Sequence, residues 1–370
     1  MEPIRDLREC QRRAGAVFAP AGEPVAGERS VPLNFGHPRE EYSAASSAAA
    51  IIDWSDRAIL ELSGADQVAF LHNFCTNDIK RLSGGQGCEA FIANVKGRIL
   101  GYVWIDVCEL SIWLDAGPVA ADRLIAHLER YVINEDVAIA DRTAEFGELL
   151  VMGPTASTAV SALLPGAEQL PEWANREVDR GSHRVRVSRR SVGRLPAFVV
   201  SARREFLADC WTALRKGGGE PAGMASWTAL RVEAGLPVYG VDLTDDNLAQ
   251  EAGRTREAIS FTKGCYLGQE PIARIDAMGH VNRELRSLRI AGDVSPPPGV
   301  RVFSDAAATA VVGTVTSSAF SFGSNSAVAL ALVRASATAP GSQVFVETGS
   351  SIAPATVFWL PAERGPTSAV

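Results

Sequence analysis

The sequence contains no long apolar run, no excess of positive charge and no clustered cysteines. Nowhere in its 370 residues do about 18 uncharged apolar residues follow one another, so we expect no membrane-spanning helix. Lys and Arg number 36 against 43 Asp and Glu, which gives a net charge of -7. A chain of this charge has no overall positive field to hold a phosphate backbone, so we expect no direct binding to nucleic acid or membranes.

Metal-binding and export patterns are also missing. The five histidines and six cysteines form no CxxC motif and no Cys/His cluster, and His72 and His280 have no partner at metal-ligand spacing. We therefore predict no metal site, and expect most cysteines to be buried small apolar residues. The first thirteen residues mix acids and bases, unlike a secretory signal, so a cytoplasmic location is expected.

The composition indicates a folded α+β protein with several domains. Hydrophobic residues make up 46% and charged residues 21%, and a chain of this length exceeds a single ordinary core. From about residue 286 onward, short alternating runs of Val, Ala, Thr and Ser predict an antiparallel barrel. The expected segments are an irregular N-terminal arm (1–40), an α+β domain (41–145), a second α+β unit (146–223), a motif-bearing segment (224–285) and a C-terminal β-barrel (286–370).

Local periodicity predicts individual elements within these segments. Residues 39–53 favour a helix, residues 87–117 three strands with tight turns, and residues 121–132 an amphipathic helix. The proline run 296–298 indicates a loop, because prolines cannot serve an interior strand. The predicted barrel strands lie near residues 286–291, 310–317, 327–333, 343–348 and 355–360.

The sequence FTKGCYLGQEPIAR, residues 261–274, places Cys265 between Gly264 and Gly268. Glycines permit positive φ or a close approach of the backbone, so the sulfur is expected to be reachable. Lys263 favours the thiolate electrostatically and Glu270 opposes it, so the sign of any activation stays open. A single cysteine beside glycines is more commonly structural.

A helix is expected to begin just after Cys265. Pro271 is tolerated in the first turn of a helix, and the residues that follow it have helical character. The positive end of that helix would favour an anion near the thiol.

Three stretches resemble the YgfZ/GcvT family of folate-binding proteins, in its YgfZ-like branch. The string KGCYLGQE at residues 263–270 is similar to the signature of that branch. LRVEAGLPVYGVD at residues 230–242 resembles a second motif of the family. FLHNFCTNDI, followed by NVKGRI at residues 94–99, resembles its helix and hairpin.

This resemblance implies a three-domain, aminomethyltransferase-like fold around a central opening that holds tetrahydrofolate or another reduced folate. Arginine and lysine suit the anionic tail of a folate, and an aromatic face and a carboxylate suit its pterin. Carried over by position, Cys265 is the functional thiol. The expected folate contacts are Asn77, Asp78, Asn94, Arg98, Arg231, Tyr239, Asp242, Lys263, Tyr266, Gln269, Glu270 and Arg274.

Structural roles remain open for several of these residues. Arg231 follows an apolar helical face and is also typical of a capping residue. Tyr239 fits a place in the core, and Asp242 a turn in which its side chain bonds its own backbone. Asn77 and Asp78 are typical of a helix end.

The chain departs from the glycine cleavage T-protein branch of that family. The T-protein hairpin carries paired aspartates, and Gly101 and Tyr102 occupy those two positions here. The stretch SVGRLPAFVV, which corresponds to the acidic pterin contacts of the transferase, has no acid. Aminomethyl transfer is therefore not expected, and whether any catalysis remains is left open.

The YgfZ-like branch implies a role in the assembly or repair of iron–sulfur clusters, including those of tRNA-modifying enzymes. Partners would then be iron–sulfur enzymes or cluster-assembly proteins, with Cys265 as an iron or sulfide acceptor. The first alternative is a folate-dependent one-carbon transferase or demethylase that uses Asp78 or Asp242 as a base. The second is a module that has lost both ligand and chemistry.

Overall fold

The computed structural model describes residues 6–19, 30–118 and 121–358. Within these ranges the chain divides into two compact units, each of them discontinuous in sequence. Among the described residues, unit 1 contains those within 6–71, 79–88 and 103–227, and unit 2 those within 72–78, 89–102 and 228–358. The division falls within helix and strand segments, so it does not test the five segments expected from the sequence, and those boundaries stay a prediction.

Short helices alternate with strands along the described chain. The helices are α1 (Leu7–Arg13), α2 (Pro38–Ser47), α3 (Gln67–Phe74), α4 (Ala121–Glu129), α5 (Ala156–Val160), α6 (Leu207–Lys216), α7 (Met224–Glu233), α8 (Thr255–Ala258) and α9 (Gln269–Met278). Short 3-10 turns lie at Ile79–Arg81, Ala167–Gln169, Arg204–Phe206, Ala249–Ala252 and Ala335–Ala337. None of the helices in the described ranges has the length and apolar character needed to cross a bilayer.

The strands of the first two thirds form two larger sheets and a small one. They are β1 (Val17–Phe18), β2 (Pro32–Asn34), β3 (Ala50–Asp53), β4 (Ile59–Ser63), β5 (Gln86–Ala93), β6 (Ile99–Val107), β7 (Ser111–Asp115), β8 (Ala138–Asp141), β9 (Phe146–Met152), β10 (Asn175–Arg180), β11 (His183–Val192), β12 (Leu195–Arg203) and β13 (Glu220–Ala222). One sheet has the order β10-β11-β12-β9-β3-β13 and the other β5-β6-β7-β4-β8. β1 pairs with β2 alone.

The six-stranded sheet carries a hydrophobic core of unit 1. On helix α6, Leu207, Trp211 and Leu214 recur at helical spacing and are buried in one cluster with strand residues such as Phe198 and Leu149. Burial of each such side chain contributes about 1.5–3 kcal/mol to stability. The core therefore lies between this sheet and its covering helices.

The C-terminal part of unit 2 is a closed antiparallel barrel, as the sequence predicted. Its strands are β14 (Arg283–Ile290), β15 (Arg301–Phe303), β16 (Val311–Ser321), β17 (Ser326–Arg334), β18 (Gln343–Thr348) and β19 (Ser351–Phe358), in the order β14-β17-β16-β15-β18-β19. Small and branched side chains fill it, for example Leu288 opposite Ala329. The last two residues of the predicted strand 355–360 lie outside the described residues.

Three local expectations need correction. The N-terminal arm is not wholly irregular, because Asp6 caps helix α1 and Leu7 packs against the core of unit 1. Residues 39–53 are not one helix: α2 ends at Ser47 and β3 begins at Ala50. The sequence missed β15, which has only three residues. The helix start expected around Pro271 is confirmed, since α9 begins at Gln269 and Pro271 lies in its first turn.

Candidate functional site

Cys265 and all twelve predicted folate contacts belong to unit 2, so their surroundings can be described together. Lys263 is buried, and its Nζ donates hydrogen bonds to the carbonyl oxygens of His72, Cys75 and Asn77 at 2.5, 2.7 and 2.9 Å. These carbonyls lie at and just after the C-terminus of α3, where backbone acceptors lack helical partners and a cation is favoured. Lys263 therefore fixes the 75–78 loop against the motif.

The 75–78 loop is tied to the motif segment from the other side as well. Asn77 donates through Nδ2 to the carbonyl oxygens of Glu89 and Glu257, both at 2.8 Å, and its Oδ1 accepts the N–H of Asp78. Thr76 donates to the carbonyl oxygen of Ala258 at 2.6 Å. The side-chain amide of Asn77 thus makes its hydrogen bonds to other residues of the protein. Asp78 keeps a carboxylate oxygen 3.5 Å from Nδ1 of His72.

The hairpin turn between β5 and β6 packs against the start of α9. Asn94 organises the turn, since its Oδ1 accepts the backbone N–H groups of Lys96 and Arg98. Gly268 has φ +81°, and an added Cβ would lie 2.4 Å from the carbonyl oxygen of Asn94. Only glycine fits this approach. Gly264, by contrast, has open space around it and no positive φ. The expected positive φ and close backbone approach are therefore found at Gly268 and not at Gly264.

Arg231 and Asp242 form a buried ion pair at 2.8 Å, with relative exposures of 5% and 2%. Arg231 also donates to Oγ of Ser317 at 2.7 Å, and Asp242 accepts the backbone N–H of Val238 and the hydroxyl of Thr316. The guanidinium and the carboxylate therefore have hydrogen-bond partners within unit 2. Their contacts join the RVEAGLPVYGVD segment to barrel strand β16.

The two predicted tyrosines are buried, and Arg98 is used locally. Tyr239 is 6% exposed and Tyr266 8% exposed. Burial, followed by the nearby Cys75, raises the pKa of Tyr266 to about 12. The ring of Tyr266 lies 4.9 Å from Nζ of Lys263, a cation–π contact. The guanidinium of Arg98 donates to the carbonyl oxygen of Asp246.

The remaining predicted residues present their side chains outward. Cys265 is the exposed one among the six cysteines, all of which lie in the described ranges. Glu270 and Arg274 are exposed on α9 four positions apart, which places them on one helical face, and Gln269 is half-buried. Within the part of the chain that the structure describes, the side chains of Gln269, Glu270 and Arg274 form no hydrogen bond or ion pair, so a ligand could bind them.

A buried polar cluster that the sequence analysis missed surrounds Glu89. One carboxylate oxygen of Glu89 accepts the hydroxyl of Tyr102, and the other accepts Nε and Nη2 of Arg254 at 3.1 and 2.5 Å. Burial raises the pKa of Glu89, although Arg254 and Tyr102 oppose the shift. Tyr102 stands where the T-protein resemblance expects an aspartate. The only signal in the sequence was one acid inside the apolar strand β5.

Comparisons with known proteins place these motifs in a family. Residues 7–263 match the GCVT N-terminal domain, and residues 283–362 match the glycine cleavage T-protein C-terminal barrel domain. An aminomethyltransferase of Symbiobacterium thermophilum is 28% identical over 373 residues, which covers 97% of each chain. A chloroplastic protein of Arabidopsis thaliana that is named as a transferase is 26% identical over 277 residues. The match covers 74% of this chain and 64% of that protein.

The fold is shared with a solved structure. The aminomethyltransferase T of the glycine cleavage system from Bartonella henselae superposes with a TM-score of 0.85 over 97% of both chains, at 22% sequence identity. This likeness confirms the aminomethyltransferase-like fold expected from the motifs, with its C-terminal antiparallel barrel. Since the two matched domains together account for most of the sequence, the chain belongs to the family of the glycine cleavage T-protein.

Proposed function

We propose that the protein binds a reduced folate and acts in the assembly or repair of iron–sulfur clusters, with Cys265 as its functional thiol. The observation that carries the proposal is the exposure of Cys265 on a segment that Lys263 holds in place. A thiolate that keeps its position and remains open to solvent can bind iron transiently without local refolding. The thiol loses its proton when it binds the metal.

The transferase hairpin supports an accessory role over aminomethyl transfer. Aminomethyltransferases are among the relatives of this chain, yet Gly101 and Tyr102 replace the paired aspartates expected by resemblance. The hydroxyl of Tyr102 is bonded to Glu89 and is not a base at neutral pH. A protein that kept the fold and changed this pair would keep folate binding and lose the original reaction.

Folate binding would rest on the outward-facing residues of α9. Arg274 suits a carboxylate of the folate tail, and Glu270 suits ring N–H donors. The side chains of Arg231, Asp242 and Asn77 have their partners inside unit 2, so their part in binding would be to hold the site in shape. Reduced folate, when bound, would supply a carrier for one-carbon units.

The decisive experiment tests the role of the Cys265 thiol and the binding of folate with separate variants. In a deletion strain, Cys265→Ala should abolish rescue of iron–sulfur enzyme activity, while Cys88→Ala, a change at a half-buried cysteine, should rescue fully. Arg274→Gln should weaken tetrahydrofolate binding at least about tenfold in calorimetry, because a charge-assisted hydrogen bond is lost. Full rescue by Cys265→Ala rejects the role of the thiol, and failure of the folded protein to bind tetrahydrofolate rejects the cofactor.

A second candidate is a folate-dependent one-carbon transferase of altered substrate, with Glu89 as its carboxylate. The contact between Glu89 and Tyr102 favours it, because it brings a buried acid beside the position of the missing aspartate. Asp242, the base considered from sequence, is ion-paired with Arg231 as Glu89 is with Arg254, so the contact with Tyr102 is what favours Glu89. Asp78, the other base considered from sequence, lies 3.5 Å from Nδ1 of His72.

The test of this candidate is formation of methylene-tetrahydrofolate from N-methyl donors by purified protein. Glu89→Gln should lower the rate at least about 100-fold, since general acid–base groups contribute that much or more. Glu61→Gln, a matched change at a carboxylate on strand β4, should leave it unchanged. If the protein turned over none of a panel of N-methyl amines, the transferase candidate would be rejected and the accessory role would remain.

A further inference from the structure

A cleft of about 670 Å³ lies within unit 2, outside the residues expected to contact folate. Its walls come from the Ala249–Ala252 turn and α8, from the C-terminal end of α9, and from the start of β14. Cavities of about 300–1,000 Å³ take small organic ligands. The lining includes none of the thirteen side chains that the sequence analysis selected.

One wall of the cleft is apolar. Ile259, Ile275 and Val281 contribute aliphatic surface, and Phe261 is 42% exposed, a high value for a large aromatic side chain. An exposed aromatic at the edge of a cleft gains most when an apolar group covers it. The ligand should therefore carry an aliphatic or aromatic group.

The charges in the cleft favour a ligand that carries both signs. Glu284 and Arg286 are paired with each other. That leaves Arg256 as a cation and the carboxylates of Glu257 and Asp276, which is +1 and -2, a balance of -1. None of these three side chains forms a hydrogen bond or ion pair in the described ranges, although Glu257 also lies near Arg254, where burial lowers the pKa of the guanidinium and Glu257 helps to raise it. A polyphosphate would meet net repulsion, whereas a ligand with an ammonium group and a carboxylate would find both partners.

A fixed acceptor in the cleft calls for an N–H or O–H donor. Gln250 lines the cleft, and its Nε2 donates to the carbonyl oxygen of Ile272 at 2.7 Å. That bond sets the orientation of the amide. Its Oε1 has no hydrogen-bond partner and almost no exposed surface, so a ligand N–H reaches it when the Gln250 side chain turns toward the cleft. A buried acceptor of this kind is normally satisfied, so a bound amide or amine would remove a cost of about 1–3 kcal/mol.

We propose that this cleft binds a short zwitterionic peptide. The peptide carboxylate pairs with Arg256, an ammonium group with Asp276 and Glu257, a peptide N–H with Oε1 of Gln250, and an apolar side chain with Phe261. The site is separate from the proposed folate and thiol functions, and it gives the protein a second class of ligand.

The test uses the dipeptide lysyl-phenylalanine, which has free termini and a net charge of +1. Calorimetry at low ionic strength should detect its binding to the full chain, whereas ATP should bind far more weakly. Arg256→Gln should weaken the free dipeptide about tenfold, and amidation of its carboxylate should do the same. The two changes together should cost no more than either alone, because both remove one ion pair.

Asp276→Asn should weaken the free and amidated dipeptides alike, since it acts on the ammonium group. Arg130→Gln makes the same charge change as Arg256→Gln at an exposed residue of unit 1 and should leave affinity unchanged. Arg256 and Asp276 are exposed, so both variants should fold, as circular dichroism will verify. Absence of binding up to about 10 mM, affinity unchanged in both cleft variants, or tighter binding of ATP would each overturn the proposal.

Discussion

The buried and exposed residues of the 263–270 segment differ in what their side chains contact. Lys263 and Tyr266 are enclosed, and Lys263 holds three backbone carbonyls of the 72–77 stretch. Cys265 and Glu270 reach solvent, and Glu270 has no partner in the described chain. Adjacent residues of one motif therefore serve two purposes: some stabilise the fold, and others remain available for chemistry. Substitutions should separate the two classes by their effect on the free energy of unfolding.

The same division runs through the other motifs. Arg231 and Asp242 resemble Lys263 in being buried and fully bonded, whereas Arg274 resembles Cys265 in being exposed. A family signature thus does not by itself identify ligand contacts. In this protein the polar side chains that match the family most closely include several whose hydrogen bonds are already satisfied.

The largest loss of stability is expected for Arg231→Met. The change leaves Asp242 buried without its cation, and breaking a buried ion pair typically costs about 3–5 kcal/mol. Urea unfolding followed by circular dichroism measures it. Arg301→Met, at an exposed arginine paired with Glu347 on the barrel, is the control and should cost under about 1 kcal/mol. Equal losses in the two variants would contradict the division between buried and exposed groups.

Lys263→Met should follow, with a loss of about 2–3 kcal/mol. Three carbonyl oxygens lose a charged donor, and the methionine fills the space without replacing the hydrogen bonds. Lys96→Met, at an exposed lysine of the hairpin turn, should change the free energy of unfolding by less than about 0.5 kcal/mol. If the two lysine variants were equally stable, Lys263 would not hold the 75–78 loop.

Within one motif, Gly268→Ala and Gly264→Ala form a matched pair. Alanine at 268 would take φ +81° and place its Cβ 2.4 Å from the carbonyl oxygen of Asn94, so a loss of about 1–3 kcal/mol is expected. Alanine at 264 meets no atom within 4 Å and should be close to neutral. Thermal unfolding of both variants compares them directly, and a reversed order would show that the close approach is absent in solution.

The barrel strands could be predicted from sequence because alternation of small apolar and polar side chains is a local property. The partners of Lys263 could not, since the carbonyls it binds lie 186 to 191 positions earlier in the chain. Periodicity carries no information on contacts at that separation. For the same reason, a functional and a structural role for Arg231 could not be separated before Ser317 and Asp242 were seen beside it.

Glu89 shows that even a visible signal in the sequence can be uninterpretable without the structure. An acid within an apolar strand is a signal in principle, but its meaning depends on Tyr102 across the hairpin and on Arg254, 165 positions away. The exposure of Cys265 was easier to predict, because the glycines beside it are a local feature of the sequence. Sequence reasoning thus predicted the accessible thiol but not the buried contacts of Glu89.

The smallest effect on stability, and the largest on function, is expected for Cys265→Ala. The side chain is exposed, so its truncation should change the free energy of unfolding by less than about 0.5 kcal/mol. Cys210→Ala makes the same change in the core of unit 1 and should cost at least about 1 kcal/mol through the cavity it leaves. Urea unfolding of both variants, with alkylation by iodoacetamide under native conditions, measures the contrast. Rapid alkylation lost only in Cys265→Ala identifies the accessible thiol, whereas slow alkylation of the native protein would mean that this sulfur is shielded in solution and unavailable to iron.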